Sequence, residues 1–318
     1  MELLSMLTQC YGPSGREEKI SQLITSQIKD FCDDIHTDAL GNLVAKAGKG
    51  GKKIIVCAHM DEIGVVITSK DENGFLRFAQ VGGLRIKDLV GRRVVFESGV
   101  QGVIATENAD EKYSVDKMYI DTGNSGDINI GDMAVFCGPF HDNGTTVVSK
   151  ALDNRVGCYV VIEAMKRLKN FTNEVYFIFT VQEEVGLRGA KTAAYGIDAD
   201  YALSVDVTDV GDTPDKKTMS VSLGQGAAIK VMDRSVICHS KVRDLLIQIA
   251  SKNNIPYQLE VLTNGGTDAG ALHTTGSGIM TGAISIPTRH IHSPSELTSK
   301  KDIESCIELL CDFLTQIQ

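Results

Sequence analysis

The chain has 318 residues, of which 42% are hydrophobic and 23% charged, and its formal net charge at pH 7 is −9. These values are ordinary for a folded globular protein, and they exclude a disordered chain and a chain made mainly of membrane spans. The negative charge is spread along the sequence and the Lys/Arg clusters are short, so nucleic acid is not expected as a partner.

The first residues, MELLSMLTQC, have no basic start and reach YGPSG before an apolar stretch of secretory length develops. No export signal is therefore expected. Apolar runs such as Val175–Phe179 are far shorter than the roughly 20 residues that cross a bilayer. The eight cysteines are scattered and form no CxxC pair, which predicts reduced thiols. Together these features predict a cytoplasmic protein with no membrane partner.

The segment after YGPSG is predicted to be an amphipathic helix. Isoleucine and leucine recur at positions 20, 23, 24 and 28, and acidic residues lie in the first turn. The run IIVC then predicts a buried strand over Lys53–Cys57, and this strand leads directly into AHMDE.

Between residues 65 and 149 the pattern changes to short β-branched runs separated by Gly, Asp and Asn. This texture is typical of a small all-β module. Because strands and helices alternate before and after it, we interpret the module as an insertion into one α/β domain. The sequence thus predicts a discontinuous main domain, residues 1–64 plus 150–318, and an inserted β domain, residues 65–149.

Beyond the insertion, the pattern predicts a helix after Asp153 and the strands VYFIFTV and YALSVDV. A helix from about Lys241 to Lys252, a strand at Ala283–Pro287 and a terminal helix follow. This alternation indicates an α/β fold with a mixed sheet, largely parallel and flanked by helices.

Four of the predicted strands end in residues that can bind a metal: IIVCAHMDE, VYFIFTVQEE, YALSVDV and AISIPTRHIHS. Open α/β sheets bind ligands at the carboxyl ends of their strands. Charged side chains beside buried strands are costly unless they are paired or coordinated. One shared metal site accounts for all four endings.

Local spacing suggests different roles for the acidic residues in two of these endings. His59 and Asp61 face the same way in an extended chain, so Asp61 can orient His59 as a metal ligand. Glu183 and Glu184 are adjacent and point in different directions, so one can bind a metal while the other takes a proton from water.

Two further positions leave alternatives open. Asp206 ends the SVD run as a candidate ligand, whereas Asp153 lies at the start of a helix, where N-capping is the alternative interpretation. His290 and His292 are separated by one residue, so only one is expected to face a common site. The residues themselves do not choose between the two histidines.

As a set, two histidines and three or more carboxylates without cysteine suit zinc, cobalt or manganese. A shared carboxylate would hold two ions close together. Such a site activates water while a free carboxylate takes its proton, so amide hydrolysis is the predicted reaction.

A series of motifs occurs in a fixed order: YGPSG, DxxGN at 38–42, AHMDE, ALDNRVG, VQEEVGLRGA, SVDV, GGTDAG and PTRHIHSPSE. With these motifs the chain resembles the tetrahedral, or TET-type, aminopeptidases over essentially its whole length. Members of that family are described as glutamyl, leucyl or lysyl aminopeptidases, and some as cellulases.

The resemblance implies an enzyme that removes amino-terminal residues from short peptides with two divalent metal ions, zinc in the first place and cobalt or manganese as alternatives. The implied ligands are His59 and Asp206 for one ion, Glu184 and His292 for the other, and Asp153 between them. Glu183 would be the general base and Asp61 would support His59.

The resemblance also implies how the chain assembles. The main domain would be the catalytic metallopeptidase domain, and the inserted domain would be PDZ-like and serve oligomerisation, with dimers building a tetrahedral dodecamer. The sequence departs from many relatives at His290, where Tyr is frequent, and over Glu107–Asp116, which is shorter than the matching stretch.

Two rival functions share these residues. An amino-acid deacylase on the same scaffold would use the same water-activating groups, and a non-catalytic oligomeric binding protein would have lost the base or a ligand. Glu183 and the five proposed ligands are all present, which argues against the second. Glycosidase chemistry, which the cellulase names suggest, leaves His59 and His292 unexplained.

Overall fold

The structure is a computed structural model and describes residues 1–107, 113–169, 171–214 and 218–317. Part of the predicted Glu107–Asp116 segment, residues 108–112, lies outside these described residues. The helices in chain order are α1 (Glu2–Gln9), α2 (Glu18–Ile28), α3 (Leu152–Arg167), α4 (Arg188–Ala193), α5 (Ser240–Asn253), α6 (Ala269–Leu272) and α7 (Lys300–Gln316).

The strands in chain order are β1 (Asp34–Thr37), β2 (Leu43–Ala47), β3 (Lys53–His59), β4 (Gly64–Lys70), β5 (Leu76–Val81), β6 (Arg93–Phe96), β7 (Gln101–Thr106), β8 (Met118–Asp121), β9 (Met133–Phe136), β10 (His141–Asp142), β11 (Thr146–Ser149), β12 (Glu174–Thr180), β13 (Tyr201–Thr208), β14 (Ala227–Met232), β15 (Tyr257–Val261), β16 (Met280–Arg289) and β17 (Glu296–Ser299). Short 3-10 helices lie at Lys29–Phe31, Ile86–Asp88 and Val115–Lys117.

One large mixed sheet forms the centre of the fold. Its main path runs β1-β2-β12-β3-β13-β16-β17-β11-β10, and β14 joins β15 to β16 at the side. The pairs β12–β3, β3–β13 and β13–β16 are parallel, whereas the outer pairs that join β1, β2, β17, β11 and β10 are antiparallel. The predicted fold class, a mixed α/β sheet with a parallel centre, is confirmed.

Helices cover both faces of the central strands. In β3, Ile54 and Val56 pack into the large core cluster that includes residues of α1, α2, α3, α5 and α7. The alternating residues Ile55 and Cys57 pack into a second cluster with residues of α4 and α6. A strand that is buried on both faces needs apolar residues in succession, which explains the uninterrupted run IIVC.

Strands β4 to β9 close a separate antiparallel barrel in the order β4-β5-β8-β7-β6-β9. The barrel has its own core, to which Val65, Phe78, Val94, Ile104 and Ile120 contribute. Its strands lie in sequence between β3 and β10, as an inserted module requires.

The predicted insertion, residues 65–149, extends past the last barrel strand. Strands β10 and β11 fall within that range, but β11 pairs with β17 of the large sheet and β10 pairs with β11. Val147 is buried in the main core cluster, so this hairpin packs with the large sheet. A short β-branched run looks the same in a barrel and at a sheet edge, which is why the sequence pattern grouped the hairpin with the barrel.

All eight cysteines are free thiols, as the scattered spacing predicts. None of the described helices combines the length and the apolar character that crossing a bilayer requires.

Candidate active site

Strand register places the predicted site at one edge of the sheet. His59, the last residue of β3, pairs with Thr180, the last residue of β12. Ser204 of β13 pairs with Cys57, so Asp206 lies in register beside His59. Glu183 and Glu184 follow the end of β12 after Val181 and Gln182. β16 is parallel to β13, with Pro287 paired to Thr208, so the parallel centre of the sheet brings all four predicted metal-binding endings to the same edge.

Asp153 lies between two histidines. Its Oδ1 is 3.0 Å from Nε2 of His59, and its Oδ2 is 3.3 Å from Nε2 of His292. The same His59 nitrogen is 3.6 Å from Oδ1 of Asp206 and 3.8 Å from Oε2 of Glu183. One carboxylate therefore links two halves of a single polar cluster.

The second half of the cluster contains Glu184 and His292. Oε2 of Glu184 is 3.2 Å from Nε2 of His292. His290 is exposed, and it is not among the residues that line the cavity over the site. The structure therefore places His292, and not His290, at the site.

Asp153 does not act as a helix cap. It is the second residue of α3, and Ala151 in the capping position makes no side-chain cap. Asp153 itself has non-helical backbone angles, φ −74° and ψ 107°, and the peptide bond that follows it is cis. Its N–H donates to Oε2 of Glu296 at 2.8 Å, so the first turn of α3 is shaped by the site.

Asp61 holds the loop that carries the adjacent glutamates. The backbone N–H groups of Glu183 and Glu184 donate to its two oxygens at 3.0 and 3.2 Å, and the Ser14 hydroxyl donates to Oδ2 at 2.6 Å. Asp61 Oδ1 also lies 3.4 Å from Nδ1 of His59. Burial alone would raise the pKa of Asp61, but its hydrogen bonds to His59 and Ser14 lower it below the usual range.

Two buried carboxylates with no predicted role shape the site from outside the cluster. Oε1 of Glu17 accepts the N–H of Gln182 at 3.1 Å and that of Gly15 at 2.7 Å. The two oxygens of Glu296 accept the N–H groups of Asp153 and His292, each at 2.8 Å. Glu296 lies inside the motif PTRHIHSPSE and Glu17 lies two residues after YGPSG, and that proximity is the only sequence signal for them.

The charges of the cluster strongly perturb its titration. Burial by itself would lower the pKa of His59, but the carboxylates of Glu183, Asp153 and Asp206 outweigh burial and hold it well above its usual value. The pKa of His292 is raised in the same way by Glu184 and Asp153. A site in which carboxylates dominate this strongly favours cations.

Burial has the opposite effect on most of the acids. It raises the pKa of Glu183 well above the usual range, against the opposing charge of His59, and it also raises the pKa values of Glu184 and Asp206. Asp153 is the exception, because hydrogen bonds from His292 and His59 overcome burial and lower its pKa. Ionising all of these acids together is costly without added positive charge.

The donor set fits divalent metal ions. His59, Glu183 and Asp206, and likewise His59, Asp153 and Glu184, offer ligand atoms that lie within 4.8 Å of one another. Oε1 of Glu184 is buried and has no hydrogen-bond partner among the described residues. Imidazole and carboxylate ligands without thiolate suit zinc, cobalt or manganese.

A cavity of about 800 Å³ opens over these residues. It is large enough for a small organic ligand or a short peptide. Apolar side chains line its walls: Leu187, Val207, Met219, Val261, Leu262 and Ile291. The cavity thus places an apolar surface next to a charged floor.

The family model for M42 glutamyl aminopeptidases matches residues 41–309. A candidate aminopeptidase of Acetivibrio thermocellus is 53% identical over 98% of this chain and 97% of its own length. The solved structure of an aminopeptidase from the archaeon Desulfurococcus kamchatkensis is 39% identical, with a TM-score of 0.95 over 99% of this chain and 94% of its own.

The Pyrococcus horikoshii TET1 peptidase, a protein that can assemble into a tetrahedron or a large octahedral shell, is 36% identical with a TM-score of 0.90 over 99% of both chains. The family model covers most of the sequence and the similar structures cover nearly all of it. By these matches, and with the cluster of potential metal ligands at the strand ends, the chain is a peptide hydrolase and belongs to the M42 glutamyl aminopeptidase family.

Proposed function

We propose that this aminopeptidase works with two divalent metal ions, and that Glu183 is its general base. The observation that carries the proposal is the position of Asp153, whose two oxygens face the nitrogens of His59 and His292 at 3.0 and 3.3 Å. A carboxylate that faces two separate ligand groups is the arrangement that a shared ligand requires.

His59 and Asp206 would hold one ion and Glu184 and His292 the other, with one oxygen of Asp153 for each. When bound, divalent cations held there would lower the pKa of water and polarise the carbonyl of the amide that is cleaved. Zinc is the first choice for this donor set, with cobalt and manganese as alternatives.

Glu183 is not needed as a ligand in this assignment and is free to move a proton. Its carboxylate accepts the proton of the attacking water and then gives it to the leaving amine. The hydrogen bond from its N–H to Asp61 and the positive φ of 55° at Gln182 fix the backbone on which it sits. Asp61 thus orients the base and His59 together.

We further propose that the chain forms a homo-oligomer, with a tetrahedral dodecamer as the expected form, and acts in the cytoplasm on short peptides. The likeness to the TET1 peptidase supports the assembly. The inserted barrel, with its own core, is the element we assign to subunit contacts. The proposed domain division is residues 1–64 plus 150–318 and residues 65–149, although the β10–β11 hairpin at the end of the second range pairs with the large sheet.

The experiment that tests this function uses a panel of chromogenic substrates with free or acetylated amino termini. Chelator-treated protein is assayed alone and after zinc, cobalt or manganese is restored. We expect cleavage that depends on the metal and is limited to substrates with a free amino terminus. Cleavage of acetylated substrates only would favour a deacylase, and no cleavage with any metal would contradict the proposal.

A further inference from the structure

Arg85 is a charged residue that the proposed mechanism does not use. It lies in the segment between β5 and β6 of the barrel, directly before the 3-10 helix Ile86–Asp88. Its side chain lines the cavity over the active site, together with Gly83 of the same segment. The inserted barrel therefore contributes directly to the substrate cavity.

This barrel segment is in close contact with the metal-binding half of the cluster. A Cβ atom added to Gly83 would lie 3.0 Å from Nδ1 of His292, and one added to Gly82 would lie 3.3 Å from Oε2 of Glu184. A side chain at Gly83 would crowd His292, and the positive φ of 83° at Gly82 favours glycine there. The contact fixes the position of Arg85 relative to the site.

Chain geometry limits how far Arg85 lies from the reacting bond. Two residues of extended chain span at most about 7 Å, and Arg85 is two residues from Gly83. A dipeptide or tripeptide has a similar length, at about 3.8 Å between successive Cα atoms. A substrate bound at Glu184 and His292 can therefore reach the Arg85 guanidinium.

Arg85 differs in charge from the acidic side chains of the cavity. Among the described residues that line it, Arg85 is the only lysine or arginine, whereas five acids line it: Asp153, Glu183, Glu184, Asp206 and Asp209. The Arg85 side chain is exposed and makes no hydrogen bond or ion pair with any described residue. An unpaired guanidinium in a ligand cavity is suited to a bidentate bond with a carboxylate.

We propose that Arg85 binds a carboxylate of the peptide substrate and so determines which peptides are preferred. This inference rests on the proposed aminopeptidase function and adds a substrate class to it. Two parts of a peptide offer the required chemistry: the carboxyl terminus of a dipeptide or tripeptide, and the side chain of an acidic amino-terminal residue. Both place a carboxylate a few bonds from the cleaved amide.

The test compares kcat/KM for two matched substrate pairs with metal-loaded wild type, Arg85→Gln and Arg85→Lys. Leu-Gly and Leu-Gly amide differ only in the terminal carboxylate, and the p-nitroanilides of Glu and Gln differ only in the side-chain carboxylate. Lys87→Gln is the matched control, because Lys87 is an exposed cation in the same segment and does not line the cavity.

Arg85→Gln should lower kcat/KM about tenfold for the charged member of one pair and leave the neutral member nearly unchanged. The affected pair identifies which carboxylate is bound. Arg85→Lys should retain part of the preference for the charged substrate, and Lys87→Gln should retain all of it. The inference is overturned if Arg85→Gln changes both members of each pair by the same factor. A wild type that cleaves neither these four substrates nor any member of the chromogenic panel overturns the aminopeptidase function itself.

Discussion

The backbone N–H of Glu183 donates a hydrogen bond to Oδ1 of Asp61, over 3.0 Å. The same oxygen lies 3.4 Å from Nδ1 of His59. A single buried carboxylate therefore sets the position of the proposed base and of a proposed metal ligand. Loss of a group that orients a ligand in this way typically costs about 10- to 100-fold in metal affinity or activity.

Replacing Asp61 with Asn should reduce both metal affinity and kcat by roughly 10- to 100-fold, because the amide NH2 cannot accept the N–H groups of Glu183 and Glu184 as both carboxylate oxygens do. Metal titration and steady-state kinetics on the same preparation measure the two effects. Asp34→Asn, which changes an exposed acid on β1, is the control. Unchanged metal affinity in Asp61→Asn would argue against the orienting role.

The adjacent glutamates should respond differently to the same substitution. Glu183→Gln is expected to keep its metal content and lose roughly 10²- to 10⁴-fold in kcat, the usual contribution of a general base. Glu184→Gln is expected to lose one ion per subunit, because Glu184 is the proposed ligand beside His292. Elemental analysis after dialysis, combined with kcat, distinguishes the two.

That comparison also tests an alternative set of ligands. Glu183 belongs to one of the two groups whose ligand atoms lie within 4.8 Å of one another. If Glu183→Gln loses metal while Glu184→Gln keeps it, the roles of the two residues are exchanged. Full turnover in Glu183→Gln would contradict the proposed mechanism altogether.

The predicted site residues cluster because they follow the parallel strands at the centre of the sheet, and these strands are easy to recognise in the sequence. Strands β3, β12 and β13 are buried on both faces, so each is an apolar run, and the polar residues that follow these runs stand out. The order of strands follows from no local pattern. Nevertheless any parallel arrangement brings their carboxyl ends to one edge.

The residues that the sequence did not reveal act over long separations in the chain. Glu17 accepts the N–H of Gln182, which is 165 positions away, and nothing in YGPSGREE indicates that contact. The choice between His290 and His292 depends on the backbone at the end of β16, where both have positive φ values near 60°. Such conformations follow from the packing of the site and not from residue spacing.

Glu17 should make the stability of the protein depend on pH. Burial raises the pKa of Glu17 to about 7, against hydrogen bonds from Gly15 and other backbone N–H groups that lower it. A carboxyl whose pKa is higher in the folded state holds its proton more tightly there. Its contribution to stability is therefore present below about pH 4.5 and is lost as the pH rises through 7.

In Glu17→Gln the amide oxygen still accepts the N–H groups of Gly15 and Gln182. Because the amide does not titrate, the loss of stability with rising pH disappears. Between pH 4.5 and 8, the free energy of unfolding of the variant should rise relative to that of the wild type by roughly 3 kcal/mol. Denaturant unfolding of both proteins across this pH range provides the measurement. A difference between them that does not change with pH would show that Glu17 does not titrate in this range.

A buried ion pair supports the wall of the cavity on the side of β14 and β15. Lys230 and Glu260 are both fully buried and in contact, and Asp233 Oδ2 lies 3.5 Å from the Lys230 ammonium. Burial alone would lower the pKa of Lys230, but Glu260 and Asp233 raise it above the usual value. Glu260 also accepts a hydrogen bond from Thr208, the last residue of β13, at 2.8 Å.

Removing the charge of Lys230 should be strongly destabilising, because it leaves Glu260 buried without its cation. For Lys230→Met we expect a loss of about 3–5 kcal/mol in the free energy of unfolding. The double variant Lys230→Met/Glu260→Gln should recover part of that loss, since a neutral amide oxygen still accepts the Thr208 hydroxyl.

Lys46→Met is the control, because Lys46 forms an ion pair with Glu174 but keeps 31% of its side chain exposed. That variant should lose much less stability than Lys230→Met, because exposed ion pairs contribute little. Equal losses in the two lysine variants by denaturant unfolding would contradict the argument from burial.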